Sequence, residues 1–215
     1  MRSAVIFDMD GVLVTTDRLH FESWRLLAER SGWPFAWEVF DRQMRGLERP
    51  HAARVFLAAA GQNPSDGLVI QTAAEKQSLF LGLLEHTPPH VEPGARELVA
   101  TLARRGIPLA VGSSSRNAEL VLARLELADQ FAAIVGGGTL PGKPSPAIFL
   151  EAARRLEIAP RACIVLEDAV DGVRAANAAE MKVIAIGPAA RFDGLPLDGR
   201  VERLAEITAD WLLAF

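Results

Sequence analysis

Apolar positions along the 215-residue chain follow two rhythms. Over residues 4–7, in a strand read as about 3–7, they run unbroken, as in a strand covered on both faces. Over residues 17–30 they return every three or four positions, with His20, Trp24 and Leu27 on one face of a predicted helix that Asp17 would cap and Gly32 would close. Helical patterns continue over residues 37–44, broken by Arg45-Gly46-Leu47, then from Pro50 to Gly61, and over residues 64–85 with Lys76 near the middle. Thr87-Pro88-Pro89 stops the last of these. After Pro93, short apolar runs at 107–111, 132–135, 163–166 and 183–186 alternate with amphipathic stretches at 95–105, 117–127, 146–156, 172–179 and 201–213. Strands alternating with helices in this way predict a parallel sheet covered on both faces.

The expected fold is therefore α/β: a Rossmann-like parallel-sheet core with helices on both faces, built from residues 1–14 and 88–215. An inserted domain of four helices would occupy residues 15–87. Half of the chain is hydrophobic, ample for such a core. Lys and Arg number 23 against 27 Asp and Glu, for a net charge of −4, and they do not cluster. No nucleic-acid partner is expected. Cys163 is the single cysteine and lies in an apolar run, so it reads as a packing residue in a reducing compartment. No signal peptide precedes the first strand and no apolar run is long enough to span a bilayer, so a cytoplasmic chain without a membrane partner is expected. No apolar surface stripe stands out, and a monomer is the expectation. Lysine occurs only at 76, 143 and 182 in a chain that otherwise uses arginine. That marks these positions as places where an ammonium is wanted.

Polar groups collect where the strands end. The first strand runs into Asp8-Met9-Asp10-Gly11, and side chains two apart on a strand point the same way. Gly112 is followed by Ser113-Ser114-Ser115, Gly142-Lys143-Pro144 precedes a helix, and the 163–166 strand leads into Glu167-Asp168. In a parallel sheet all four would meet at the carboxyl edge, where open α/β sheets bind ligands. Taken singly, each has an ordinary explanation: turn formation, helix capping or a solvated loop charge. Taken together, several acids, one ammonium and hydroxyls at a glycine turn describe a site for Mg²⁺ and a phosphoryl group.

This set of four motifs resembles that of the haloacid dehalogenase-like phosphotransferases, over nearly the whole chain and including a helical insert of the right size and place. The resemblance implies that Asp8 is the nucleophile and forms an aspartyl-phosphate, with Asp10 as general acid and base. Ser113 and Lys143 would complete the catalytic set. Asp8, the Asp10 carbonyl and Asp168 would hold Mg²⁺ with Glu167 in support. Within that superfamily the stretch from Phe7 to Trp24, with His20 and Trp24 in place, is similar to the β-phosphoglucomutase family. Arg45-Gly46-Leu47-Glu48-Arg49 resembles its substrate loop, with Arg49 implied as a grip on the phosphate that is not transferred. Ser115-Arg116-Asn117 resembles the other half of that grip, and Lys76 falls where the family has a lysine facing the sugar. Thr15, Arg45, Glu48, Pro50, Ala52 and the acid-free Gly136-Gly137-Gly138-Thr139 depart from the family pattern. The resemblance implies a hexose-phosphate mutase of the β-phosphoglucomutase family, with a sugar-phosphate phosphatase as the alternative, each acting on a small phosphorylated sugar.

Overall fold

Strand β1 (Ala4–Phe7) carries no polar side chain and is buried throughout, which puts it in the middle of a sheet. The computed structural model describes residues 3–215. The chain forms two compact units, one from the N-terminal segment through Thr15 together with His90–Phe215, the other from Thr16–Pro89.

In the first unit β2 (Val14–Thr15) pairs antiparallel with β3 (His90–Val91). The main sheet comprises β1, β4 (Leu109–Gly112), β5 (Ala133–Val135), β6 (Cys163–Glu167), β7 (Lys182–Ile186) and β8 (Gly199–Val201), in the order β5-β4-β1-β6-β7-β8. Every pairing in it is parallel, with Phe7 opposite Val111 on one side and Leu166 on the other. The carboxyl ends of β1, β4 and β6 therefore lie side by side. Alternate residues serve the two faces. Ala4, Ile6, Ala110, Cys163, Val165 and Val183 share one cluster with Ile148, Phe149 and Val173 of two later helices. On the other face Phe7 meets Phe131 edge-on at 5.9 Å.

That second unit contains α1 (Asp17–Arg30), α2 (Trp37–Gln43), α3 (Arg49–Ala59) and α4 (Asp66–His86). Its core gathers Trp24, Leu27, Phe40, Met44, Phe56, Leu57 and Val69. Back in the sheet unit are α5 (Ala95–Arg104), α6 (Ala118–Arg124), α7 (Ala147–Leu156), α8 (Val170–Ala178) and α9 (Ala209–Leu212). No helix among the described residues is long and apolar enough to cross a membrane.

Three expectations need correction. A long helix over 201–213 does not form. Residues 199–201 join the sheet as β8, Leu204–Glu206 make one 3₁₀ turn, and only Ala209–Leu212 is α-helical. The cause is a polar side chain: the Asp198 carboxylate accepts from the Val183 amide at 2.8 Å and pulls the segment against β7. The helix expected over 117–127 stops at Arg124, because Glu126 takes φ 56° and the chain turns. Asp17 lies inside the first turn of α1, with Thr16 in the capping position.

Candidate active site

The turn after β1 is set by backbone bonds. The Asp8 amide donates to Leu166 of β6 at 2.9 Å, so Asp8 still belongs to the sheet edge. The Met9 carbonyl then accepts from both Leu13 (2.9 Å) and Val14 (3.0 Å), and the Gly11 amide donates to Val14 at 2.7 Å. Gly11 has φ +85°, and a Cβ there would lie 2.5 Å from Cγ of Asp168. Only glycine lets the two strand ends approach so closely. Asp8 is buried and Asp10 half-buried.

Lys143 joins the strand ends electrically. Its ammonium donates to Asp8 Oδ1 and, at 2.6 Å, to Glu167 Oε1. It also stands 4.6 Å from the centre of the Phe149 ring. Burial pulls the Lys143 pKa down, but the charges of Asp8 and Glu167 outweigh it and hold the group above the ordinary lysine value. The other Glu167 oxygen accepts from the Ala169 amide at 2.7 Å, so both of its oxygens are engaged within the protein. The Lys143–Pro144 peptide is cis.

Asp168 is different. Its carboxylate accepts no hydrogen bond from a described residue, and its nearest cation is Arg191 Nη1, 3.7 Å from Oδ2. Burial, then the charges of Asp8 and Glu167, push its carboxyl up to about 8, against the pull of Arg191 and Lys143. Packed acids like these are what a cation would relieve. Among the described residues no group of three His, Cys, Asp or Glu side chains stands gathered for a metal. Carboxylate and carbonyl oxygens are the donors an oxygen-preferring divalent ion takes, and Asp8, Asp168 and the Asp10 carbonyl are the groups that would hold one.

The loop after β4 is a run of small turns. Ser113 is buried; its hydroxyl oxygen accepts from the Ser115 amide at 3.0 Å, and that of Ser115 accepts from Asn117 at 3.2 Å. Each hydroxyl keeps its own proton for donation to an anion. The segment Gly136–Gly138 underlies this loop: the Gly137 amide donates to the Ser115 carbonyl at 3.0 Å. A Cβ at Gly137 would overlap the Ser114 carbonyl, and one at Gly138 (φ +108°) would stand 2.7 Å from Arg116 Nε. The exposed Arg116 side chain thus lies along bare backbone.

In the helical unit, Lys76 Nζ lies 2.6 Å from His20 Nδ1 and 4.7 Å from the centre of the Phe80 ring, on which His20 stacks at 4.5 Å. Burial, then Lys76 and Arg49, push the His20 pKa well below its ordinary value. The imidazole is therefore neutral and accepts from the ammonium. Arg49, the first residue of α3, is half-buried. Trp24 is buried with its ring 4.8 Å from that of Phe56, so it is a packing element of this unit and stands 5.7 Å from Lys76 Nζ. Arg45 pairs with Asp17 at 2.7 Å and Asp41 at 3.4 Å, and Gly46 turns the chain with φ +76°.

Two residues at the carboxylate cluster carry no motif signal. Arg191 follows the Gly187-Pro188 turn at the end of β7, a fifth strand end. Gly172 leaves the space that the Glu167 carboxylate fills. A polar residue close after a strand-terminal glycine is the signal that finds the first. Nothing in the sequence marks the second.

The family model for haloacid dehalogenase-like hydrolases matches residues 3–180. The chain is 34% identical over 221 residues to the β-phosphoglucomutase of Bacillus subtilis strain 168, covering 97% of this chain and 93% of that protein. It is equally 34% identical, over 184 residues, to a phosphorylated carbohydrates phosphatase of Thermotoga maritima, covering 84% and 83%. The crystal structure of β-phosphoglucomutase from Clostridium difficile matches with a TM-score of 0.86 at 28% identity, covering 100% of this chain and 96% of that one. The match over residues 3–180 spans the ends of β1, β4 and β6 and the Lys143 loop, and the chain belongs to the haloacid dehalogenase-like hydrolase family, among its phosphotransferases and phosphatases.

Proposed function

We propose that the chain is a Mg²⁺-dependent phosphomutase of the β-phosphoglucomutase type, moving a phosphoryl group between positions of a small phosphorylated sugar through an aspartyl-phosphate at Asp8. The observation that carries this reading is the Lys143 clamp. One Asp8 oxygen is held by an ammonium that Glu167 holds in turn, which leaves the second oxygen to attack phosphorus. Bound Mg²⁺ would supply positive charge to the phosphoryl oxygens during transfer. Asp10 protonates the leaving oxygen and later takes the proton from the sugar hydroxyl that receives the group. Lys143 balances charge at Asp8 as the phosphate ester forms and breaks. Ser113 donates to a phosphoryl oxygen. Arg49, Ser115, Arg116 and Asn117 hold the phosphate that stays on the sugar. His20 and Lys76 face the sugar, with the Lys76 side chain aimed by its hydrogen bond to the imidazole. Trp24, Arg45 and Gly46 shape the helical unit around them.

Hydrolysis by the same Asp8 chemistry is the second reading, favoured by the 34% identity to a carbohydrate-phosphate phosphatase. One assay separates the two. The protein is given β-glucose 1-phosphate, Mg²⁺ and a trace of glucose 1,6-bisphosphate, and glucose 6-phosphate and free phosphate are followed together. Glucose 6-phosphate far outpacing phosphate is the expected result. Phosphate alone replaces the mutase by the phosphatase. Activity surviving in Asp8→Asn would overturn both.

A further inference from the structure

At the carboxyl end of β7 the chain turns through Gly187, with φ +130°, into the short turn Ala189–Phe192. From that turn Arg191 reaches to the β6–α8 connection. Its Nη1 donates to the Asp168 carbonyl at 2.8 Å. The same atom stands 3.7 Å from Oδ2, too far for a hydrogen bond to the carboxylate. The space for the guanidinium comes from glycine: a Cβ at Gly187 would lie 3.0 Å from Nη1 and 3.4 Å from Cζ. The Phe192 ring lies 5.9 Å from Cζ. Gly187 is itself braced, because its carbonyl accepts from Arg200 Nη1 at 2.8 Å and that nitrogen pairs with Glu202 at 2.6 Å.

We infer that Arg191 is a positioning residue for a divalent cation at Asp168. It grips the backbone of Asp168 and not its carboxylate, so it fixes the turn while leaving both carboxylate oxygens unclaimed by hydrogen bonds. The inference rests on the reading of Asp168 as a metal ligand. A guanidinium near the carboxylate also repels an incoming cation, and the two effects oppose. The repulsion is the smaller, because the Arg191 side chain is 42% exposed and screened by water. Fixing a ligand from behind is typically worth about 10–100-fold in metal affinity.

The test titrates the full-length protein, without substrate, with Mn²⁺ in place of Mg²⁺ and reads free Mn²⁺ by electron paramagnetic resonance. R191A is expected to bind about 10-fold more weakly than the unsubstituted chain, with R191K, which keeps a donor, between the two. Thermal unfolding in a chelator reports whether each variant is folded, and R191K serves if R191A is not. Mn²⁺ binding by R191A as tight as that of the unsubstituted chain, or tighter, overturns the inference. D168N separates the underlying reading: if D168N binds Mn²⁺ unchanged, Asp168 is not a ligand at all. Loss in D168N with no loss in R191A sinks the role of Arg191 alone.

Discussion

Alanine at position 172 is predicted to destabilise, against the usual rule for helices. Gly172 is the third residue of α8 and has no positive φ, so its backbone suits alanine. On helix propensity alone the exchange stabilises by about 1 kcal/mol. Here the new Cβ would fall on Oε1 and Cδ of Glu167 and lie 2.5 Å from Oε2. The carboxylate must leave its place, and it then loses the Lys143 ammonium and the Ala169 amide. Hydrogen bonds to charged groups are worth about 1.5–3 kcal/mol each. Two of them against one propensity gain leave a net loss of about 2–5 kcal/mol. In a chain of this size that lowers the thermal midpoint by roughly 4–20 °C. The assay is urea unfolding of the unsubstituted chain, G172A, E167A and the double variant. With Glu167 cut back to alanine the clash is gone, so the second substitution should stabilise by up to about 1 kcal/mol. A neutral or stabilising G172A in the unsubstituted background would refute the reasoning, as would an equal cost in both backgrounds.

Two further outcomes follow from the charged groups. His20 has its folded pKa pushed well below 6.5 by burial, then by Lys76 and Arg49. The unfolded chain therefore takes up a proton below about pH 6.5 that the fold refuses, so this contribution to stability is whole above that pH and is lost as pH falls towards the folded value. His20→Gln should flatten the dependence of the urea midpoint on pH in that window, and superimposable slopes would refute it. Asp10→Asn should lower turnover by about 10²–10⁴-fold while leaving Mn²⁺ affinity near that of the unsubstituted chain, since the Asp10 carbonyl is retained. Turnover equal to that of the unsubstituted chain would remove Asp10 from the proton transfers.

The sheet and its chemical edge were legible because local pattern and global fold agree there. Residues 4–7 and 163–166 are unbroken apolar runs that end in acids, and an all-apolar run has no face to leave in water. Ser113 and the Asp8–Gly11 turn stand directly after such runs, whereas Lys143 stood out only as a lysine in the Gly-Lys-Pro loop before a helix. The C-terminal segment misled because Val201, Leu204, Ile207 and Leu212 recur at near-helical spacing. Arg203 and Thr208 are nonetheless extended, and a hydrogen bond between Asp198 and Val183, 15 positions apart, decides the matter. Arg191 and Gly172 escaped because their partners, Asp168 and Glu167, are brought to them only by tertiary packing.

The small antiparallel pair β2–β3 changes how the chain can be assembled and rebuilt. Thr15 pairs with His90, the Thr15 hydroxyl bonds Glu92, and the Glu92 amide donates to Leu13 at 2.9 Å. The strands clasp the insert at its root, so the sheet meets residues 16–89 as a closed loop. For β1 to find β4 the chain must otherwise close a loop of roughly 100 residues. With the clasp made, the effective loop shrinks to roughly 30, which lowers the closure cost by about 1 kcal/mol. The clasp makes that cost nearly independent of what lies inside it. Helices can be lengthened, exchanged or cut down to a hairpin turn of about 2–5 residues without altering the loop that β1 and β4 must close. In such a design the helical unit is a cassette, free to diversify while the sheet and its strand ends stay as they are.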